Sequence, residues 1–373
     1  MINLGEIPPH LKSQIDEMSS ILSPYTKRAY FVGGFVRDLY LQNPIKDIDI
    51  EVYDVASDDF DVLMQSIGAL GVGKSFFVYK YKDLDIALPR VERKISQGHS
   101  GFEVKLTQDE KEASKRRDFS MNSIMVNIFT HDIHDFWGGV ECIEKKLIKH
   151  IDEQAFREDS LRVLRAVQFA ARFDFSIDKK TLHVMQNIDL NDLSKNRIFW
   201  EFEKLFKAKY LHVGLYYLYE LGLFEKIFSL HVSLEQVEKI AKELEDAHFE
   251  EELREYYLIY IVCGVLGVGY EAVLKHLEVP NRYYTIFKYQ PFFSSLLSEN
   301  ELLHVAMHMP IKKWLGNYRD GIKEMAKKLN IYEEIYTGGI DIQDVIKDGY
   351  QKEEIKKEYT RRVLKTILSY KES

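Results

Sequence analysis

At 373 residues, with 46% hydrophobic and 29% charged residues, the chain can build a large core and exceeds the size at which one core stops growing; disorder is excluded and two or more packed modules are expected. A net charge of −8 speaks against a uniformly basic nucleic-acid binder, although basic residues gather locally at Arg90, Arg93 and Lys94, at Lys115 to Arg117, and at Lys356, Lys357, Arg361, Arg362 and Lys365. The cysteines Cys142 and Cys263 form no CxxC or Cys/His cluster, which argues against a zinc site or a disulfide framework and fits a reducing cytoplasm.

The N-terminal residues Met1 to Glu6 lack the basic region and apolar run of a signal peptide. A first strand is expected over Ala29 to Val32, and Gly33-Gly34 follows it directly, ahead of a helical stretch that contains Arg37. Glycines at a strand-to-helix turn let backbone approach a phosphate closely, but such a turn also needs glycine on steric grounds alone. A second strand, Ile48 to Tyr53, opens on Asp47-Ile48-Asp49-Ile50-Glu51.

Helical residues Phe60 to Ile67 precede Gly68 to Ser75, which fits the formula GxxxxGK[ST] letter for letter. A phosphate-binding loop of that kind needs a strand before it and a helix after it. Here a helix precedes and the β-rich run Phe76 to Tyr81 follows, so the match is set aside. Asp85, in the short run Leu84 to Ala87, is either a third carboxylate or an exposed strand residue. Another strand is expected over Ser123 to Phe129, with His131-Asp132 in a hairpin turn. From Gln154 onward the apolar spacing becomes helical, as in Leu161, Leu164, Val167, Phe169 and Phe173, and no further strand is expected. The apolar stretch Tyr256 to Tyr270 is too short to span a bilayer and reads as a buried helix or helix pair. The fold class is α+β: a head of small mixed sheet and helices over 1–140, then a helical neck (141–205), body (206–300) and tail (301–373).

The period of two along a strand puts Asp47, Asp49 and Glu51 on one face and sends Ile48 and Ile50 to the core. Two carboxylates spaced about 6 to 7 Å along a strand repel each other unless cations lie between them, and hard oxygen ligands suit Mg²⁺. The chemistry to expect is two-metal phosphoryl transfer.

The glycine turn coupled to the Asp-x-Asp strand resembles the nucleotidyltransferase superfamily related to DNA polymerase β. Further motifs narrow the resemblance. Arg116-Arg117-Asp118-Phe119-Ser120-Met121-Asn122-Ser123 is similar to the RRDFTxNA motif of class II tRNA nucleotidyltransferases and bacterial poly(A) polymerases, and Glu158 to Ala166 to their EDxxRxxRA motif. Asp135 to Glu141 resembles the head-to-neck connector and Arg197 to Lys204 a later helix-stabilising motif. Ser120 stands where threonine is common and Gln168 where arginine often precedes Phe-Ala-Ala-Arg; neither is a proposed ligand. Beyond about residue 205 the similarity fades.

The resemblance implies a polymerase-β-like head followed by helical neck, body and tail. It also implies addition of CMP and AMP from CTP and ATP to the 3′ end of tRNA, with Asp47 and Asp49 as catalytic metal ligands. Gly33, Gly34, Arg37, Arg117, Asp118, Asn122, Asp159, Arg162 and Arg165 would contact the nucleotide, Asp118 at the ribose. Asp159 and Arg162, three apart on one helix, would share a face and read the amino group and ring acceptors common to cytosine and adenine. Arg90 to Lys94, with Gly98 and Gly101, resembles the entrance to a flexible loop that helps switch the site from CTP to ATP, and the interval Ile95 to Ser114 has room for it. The partner expected is tRNA, through its acceptor arm and 3′ end, with neither a membrane nor a stable protein partner. Rivals are an enzyme adding only A or only CC, a poly(A) polymerase and, from another class, a nucleotide- or RNA-binding module without turnover.

Overall fold

The computed structural model describes residues 7–45, 47–73, 77–94, 102–293 and 297–370. The chain divides into two compact units, Met1–Leu193 and Ser194–Ser373.

The first unit runs α1 (Pro9–Leu22), β1 (Ala29–Val32), α2 (Gly34–Tyr40), β2 (Ile48–Val52), α3 (Ser57–Ser66), β3 (Leu70–Gly73), β4 (Val78–Tyr81), β5 (Leu84–Ala87), β6 (Arg90–Lys94), β7 (Phe102–Leu106) and α4 (Glu110–Lys115). After a 3₁₀ turn at Ser120–Asn122 come β8 (Met125–Asn127), β9 (Ile133–His134), α5 (Gly139–Glu144), β10 (Leu147–Ile148), α6 (Glu153–Arg157), α7 (Leu161–Phe173), β11 (Ser176–Ile177) and α8 (Lys179–Gln186). Seven strands form one sheet in the order β3-β4-β5-β2-β1-β8-β9. β2 pairs with β5 in parallel, while β1 pairs antiparallel with both β2 and β8. β1 is apolar throughout and fully buried, as an inner strand should be. In β2, Ile48 and Ile50 enter the core as the alternation predicts.

Several expectations need correction. The interval Ile95 to Ser114 is not one long loop: β7 pairs antiparallel with β6, and α4 begins at Glu110. The alternation Phe102, Val104, Leu106 was a strand signal that the glycines before it obscured. Residues 95–101 lie outside the described residues, as do Lys74 and Ser75 of the GxxxxGK[ST] match, whose middle residues form strand β3. A strand does follow Gln154, since β11 pairs in parallel with β10. Two residues are too few for any periodicity to announce. His131 does sit in the turn between β8 and β9, in left-handed backbone (φ 62).

The second unit contains no strand among its described residues. Its helices begin with clear signals: Ser194 accepts a hydrogen bond from the Arg197 amide, and Ser233/Gln236 and Ser298/Glu301 form reciprocal capping boxes. The apolar stretch after Arg254 is a core helix, Arg254–Leu266, buried from Tyr256 through Cys263 and closed by Gly267. Trp314 is fully buried, and its indole donates to the Pro291 carbonyl at 2.9 Å. Val363 and Ile367 of the C-terminal helix Glu353–Leu368 join the same apolar cluster. Among the described residues, no helix is long and apolar enough to cross a membrane.

Candidate active site

The site is built within the first unit, around the edge of β2. Gly33 joins β1 to α2 at φ 72 and ψ −139, a backbone state that essentially only glycine adopts. Space requires glycine there as well: a Cβ at Gly33 would lie 3.1 Å from Asp49 Oδ2 and 3.2 Å from Arg117 Nη1. A Cβ at Gly34 would meet Arg37 Nη2 at 3.3 Å. Register sets the neighbours of Asp49, with Val32 of β1 on one side and Asp85 of β5 on the other. Asp47 precedes the strand and is exposed, while Asp49 is half-buried. Burial lifts the Asp49 pKa above the ordinary carboxylate value; Arg117 opposes this, and Asp85, Asp47 and Glu51 add to it. Asp85 is itself ion-paired to Lys80 at 3.4 Å.

Glu51, the next residue on that face, is only 1% exposed. Its carboxylate accepts from Arg116 Nη2 at 2.6 Å, from Arg117 Nη2 at 3.0 Å and from the Tyr53 hydroxyl at 3.2 Å. Burial would raise its pKa, but Arg117 and then Arg116 outweigh burial and hold it below the ordinary value.

The Arg116 to Asn122 segment is tied to α7. Buried Asp118 accepts from the Phe119 amide and from Asn122 Nδ2, both at 2.8 Å, and pairs with Arg165 through Nε at 2.8 Å and Nη2 at 2.6 Å. Burial pushes its pKa up, yet Arg165, the Asn122 bond and Arg162 bring it below the ordinary value. Arg162 donates to the carbonyls of Arg116 (2.6 Å) and Ala155 (2.9 Å). Asn122 in turn accepts from buried Arg37, which also pairs with Asp38 and lies over the rings of Phe169 and Phe173.

Residues 29–149 match the family described as the Poly A polymerase head domain, and residues 174–234 that described as a probable RNA and SrmB-binding site of polymerase A. Through residues 29–149 the chain carries a head similar to that of poly(A) polymerases. It is 34% identical over 230 residues to a multifunctional CCA protein of Pasteurella multocida, covering 58% of this chain and 52% of that one. It is 31% identical over 247 residues to a CCA-adding enzyme of Bacillus cytotoxicus, covering 65% and 62%. The chain thus spans about half the length of the first of these relatives. The fold matches the CCA-adding enzyme of Bacillus stearothermophilus, solved with CTP, at a TM-score of 0.68, with 22% identity over 97% of this chain and 94% of that one. It matches the Thermotoga maritima enzyme, solved with tRNA, at 0.68, with 19% identity over 99% and 94%.

CCA-adding nucleotidyltransferases in general depend on a metal ion. Among the described residues, no group of three or more His, Cys, Asp or Glu is placed to hold one unaided. Two carboxylates such as Asp47 and Asp49 still suit a divalent cation that completes its shell with water and substrate phosphates. Within the family's motifs, the structure brings Gly33, Asp49 and Arg117 together, and separately Arg37, Asp118, Asn122, Arg162 and Arg165. Asp159 corrects an expectation. It precedes α7 rather than riding on it, and its carboxylate accepts from the Leu161 amide at 3.3 Å.

Three side chains around these motifs have roles that the sequence pattern does not show. Alternation puts Glu51 on the Asp49 face but does not mark it as an arginine clamp, although the downstream Arg-Arg pair is a usable charge signal. Asp135 accepts from the Gly139 and Val140 amides and so caps α5. Asp192 bonds Ser160, beside Asp159; nothing in its local sequence announces this.

Proposed function

We propose that this chain adds CMP and AMP from CTP and ATP to the 3′ end of tRNA with release of pyrophosphate. The observation that carries the reading is the half-buried Asp49 beside a glycine-only turn and an arginine, in a head joined by side-chain bonds to the EDxxRxxRA segment. Relatives named as CCA proteins support it.

In this reading Asp47 and Asp49 hold Mg²⁺, which supplies charge neutralisation for the triphosphate and for the attacking 3′-hydroxyl. Gly33 and Gly34 let backbone approach the phosphates, and Arg117 offers its guanidinium to them. Asn122 and Asp118 line the nucleotide side, with Asp118 at the ribose, Arg165 bracing it and Arg37 bracing Asn122. Asp159 and Arg162 select the base: arginine donates to ring acceptors, and the carboxylate accepts from the amino group that cytosine and adenine share. The partners are CTP, ATP and the acceptor arm and 3′ end of tRNA. We place the protein in the cytoplasm, where the free, buried Cys142 and Cys263 stay reduced.

The test supplies Mg²⁺ and CTP, ATP or both to three tRNAs, ending before CCA, after the first C and after CC, with products resolved at single-nucleotide length. Ordered addition of C, C and A is the expected result. Arrest after CC, addition of A alone, or long A tails would replace it with a CC-adding enzyme, an A-adding enzyme or a poly(A) polymerase. No extension of any primer would leave a binding module.

A further inference from the structure

Glu51 is a buried acid for which the transfer reaction has no direct use. It lies two residues from Asp49 on β2, and its carboxylate takes one Nη2 hydrogen bond from Arg116 and one from Arg117. Among the described residues, the Arg117 side chain is held by its Nη2 hydrogen bond to Glu51. Its Nε is buried without a hydrogen-bond partner, and its Nη1 faces the Gly33 turn. The point where a Gly33 methyl would stand is 3.2 Å from Arg117 Nη1 and 3.1 Å from Asp49 Oδ2. Guanidinium and carboxylate therefore flank one spot, close enough for a side-chain rotation to bring them together. Among the described residues, however, no ion pair joins them.

A buried guanidinium deprived of its partner turns to the nearest acceptor, because leaving a buried charge unpaired is strongly unfavourable. For Arg117 the Asp49 carboxylate, on the other side of the same spot, is an acceptor within reach. We propose that Glu51 is a positioning residue that holds Arg117 off Asp49 and so keeps that carboxylate open to a divalent cation. The inference rests on the metal role of Asp49 given above. It makes the third acid of Asp-Ile-Asp-Ile-Glu part of the cation site without being a ligand. The same clamp leaves the arginine poised beside the glycine turn, where a triphosphate would meet it, instead of neutralised by the acid next door.

The test is Mn²⁺ binding to the purified full chain without nucleotide, followed by the electron paramagnetic resonance signal of free Mn²⁺. Asp49→Ala identifies the binding that belongs to this site. Glu51→Gln keeps the shape and an acceptor but loses the charge, and should weaken Mn²⁺ affinity by roughly tenfold. Arg117→Gln should bind at least as tightly as the unmodified protein, and adding Glu51→Gln to it should cost little more.

Equal affinity in Glu51→Gln and the unmodified protein overturns the inference. So does a loss of the same size with and without Arg117, since Glu51 would then act only through its own negative charge. Should Glu51→Gln fail to fold, Glu51→Asp keeps the charge but shortens the reach by one methylene; it should weaken Mn²⁺ binding, and unchanged affinity overturns the proposal. An unmodified protein with no Asp49-dependent Mn²⁺ binding sinks the metal assignment and this inference together, whereas intact binding that Glu51→Gln leaves untouched sinks the inference alone.

Discussion

Gly33→Ala tests the site's geometry most directly, because two independent costs meet at one atom. The first is backbone strain: at φ 72 and ψ −139 a side-chain-bearing residue is held in a region almost reserved for glycine, at about 1–3 kcal/mol. The second is contact, since the new methyl lies 3.1 Å from Asp49 Oδ2 and 3.2 Å from Arg117 Nη1, so each must yield by a few tenths of an ångström. Strain alone should lower the melting temperature by roughly 3 to 10 °C in a unit of this size. Displacement of Asp49 and Arg117 should depress CMP transfer well beyond the loss of folded protein. The control is Gly34→Ala, where φ is not positive, the nearest atom is the end of the Arg37 side chain, and alanine at a helix start offsets part of any cost. Calorimetry with a single-turnover transfer assay separates the two effects. A Gly33→Ala protein that melts with the unmodified chain, or a Gly34→Ala protein that suffers equally, would refute the reasoning.

Asp49→Ala should abolish transfer and leave the melting temperature within a few degrees, because the side chain is half-buried and lies among other acids; transfer at the unmodified rate removes the metal role. Asp159→Ala and Arg162→Ala should admit UTP or GTP, read as misincorporation relative to CTP. Arg162→Ala should also lose about 1–3 kcal/mol of stability, because two backbone carbonyls lose a charged donor. Unchanged selectivity in both variants ends the base-reading role. Burial lowers the His150 pKa below its ordinary 6.5, and His150 Nδ1 lies 2.7 Å from Thr181 Oγ1. The folded state thus prefers the neutral ring: its contribution is full above pH 6.5 and is lost as pH falls through 6.5 toward the depressed folded value. Melting temperatures of the unmodified chain and His150→Gln, followed from pH 8 to pH 5, should converge as the pH falls; parallel curves would contradict this.

What the sequence revealed here was periodic or local, and what it hid was made by tertiary contact. Alternation in Asp47 to Glu51 correctly sent Ile48 and Ile50 inward, because a strand's two faces follow from its own backbone. The same alternation could not say that the face carrying Asp49 would be half open at that residue and sealed by two arginines at Glu51, since those arginines arrive 65 and 66 residues later in the chain. Arg37 sits in the glycine-turn motif, yet its guanidinium lies against Phe169 and Phe173 of α7, a burial that no pattern near residue 37 encodes. The spacing of Asp159 and Arg162 implies two positions on one helix, but α7 begins at Leu161. Asp159 hydrogen-bonds the first helical amide instead, as short acidic side chains do at helix starts. Motif likeness therefore marked positions that the fold gathers, without distinguishing side chains left open from side chains that brace their neighbours. That distinction depends on where each polar group's hydrogen bonds already go. Arg165 spends its fork on Asp118 and Glu51 spends its carboxylate on Arg116 and Arg117, whereas Asp47 is exposed and Arg117 keeps a buried Nε without a partner. In this head the bracing residues are as charged as the presenting ones, which is why substitutions that alter a brace should shift cation affinity or stability before they touch the chemistry.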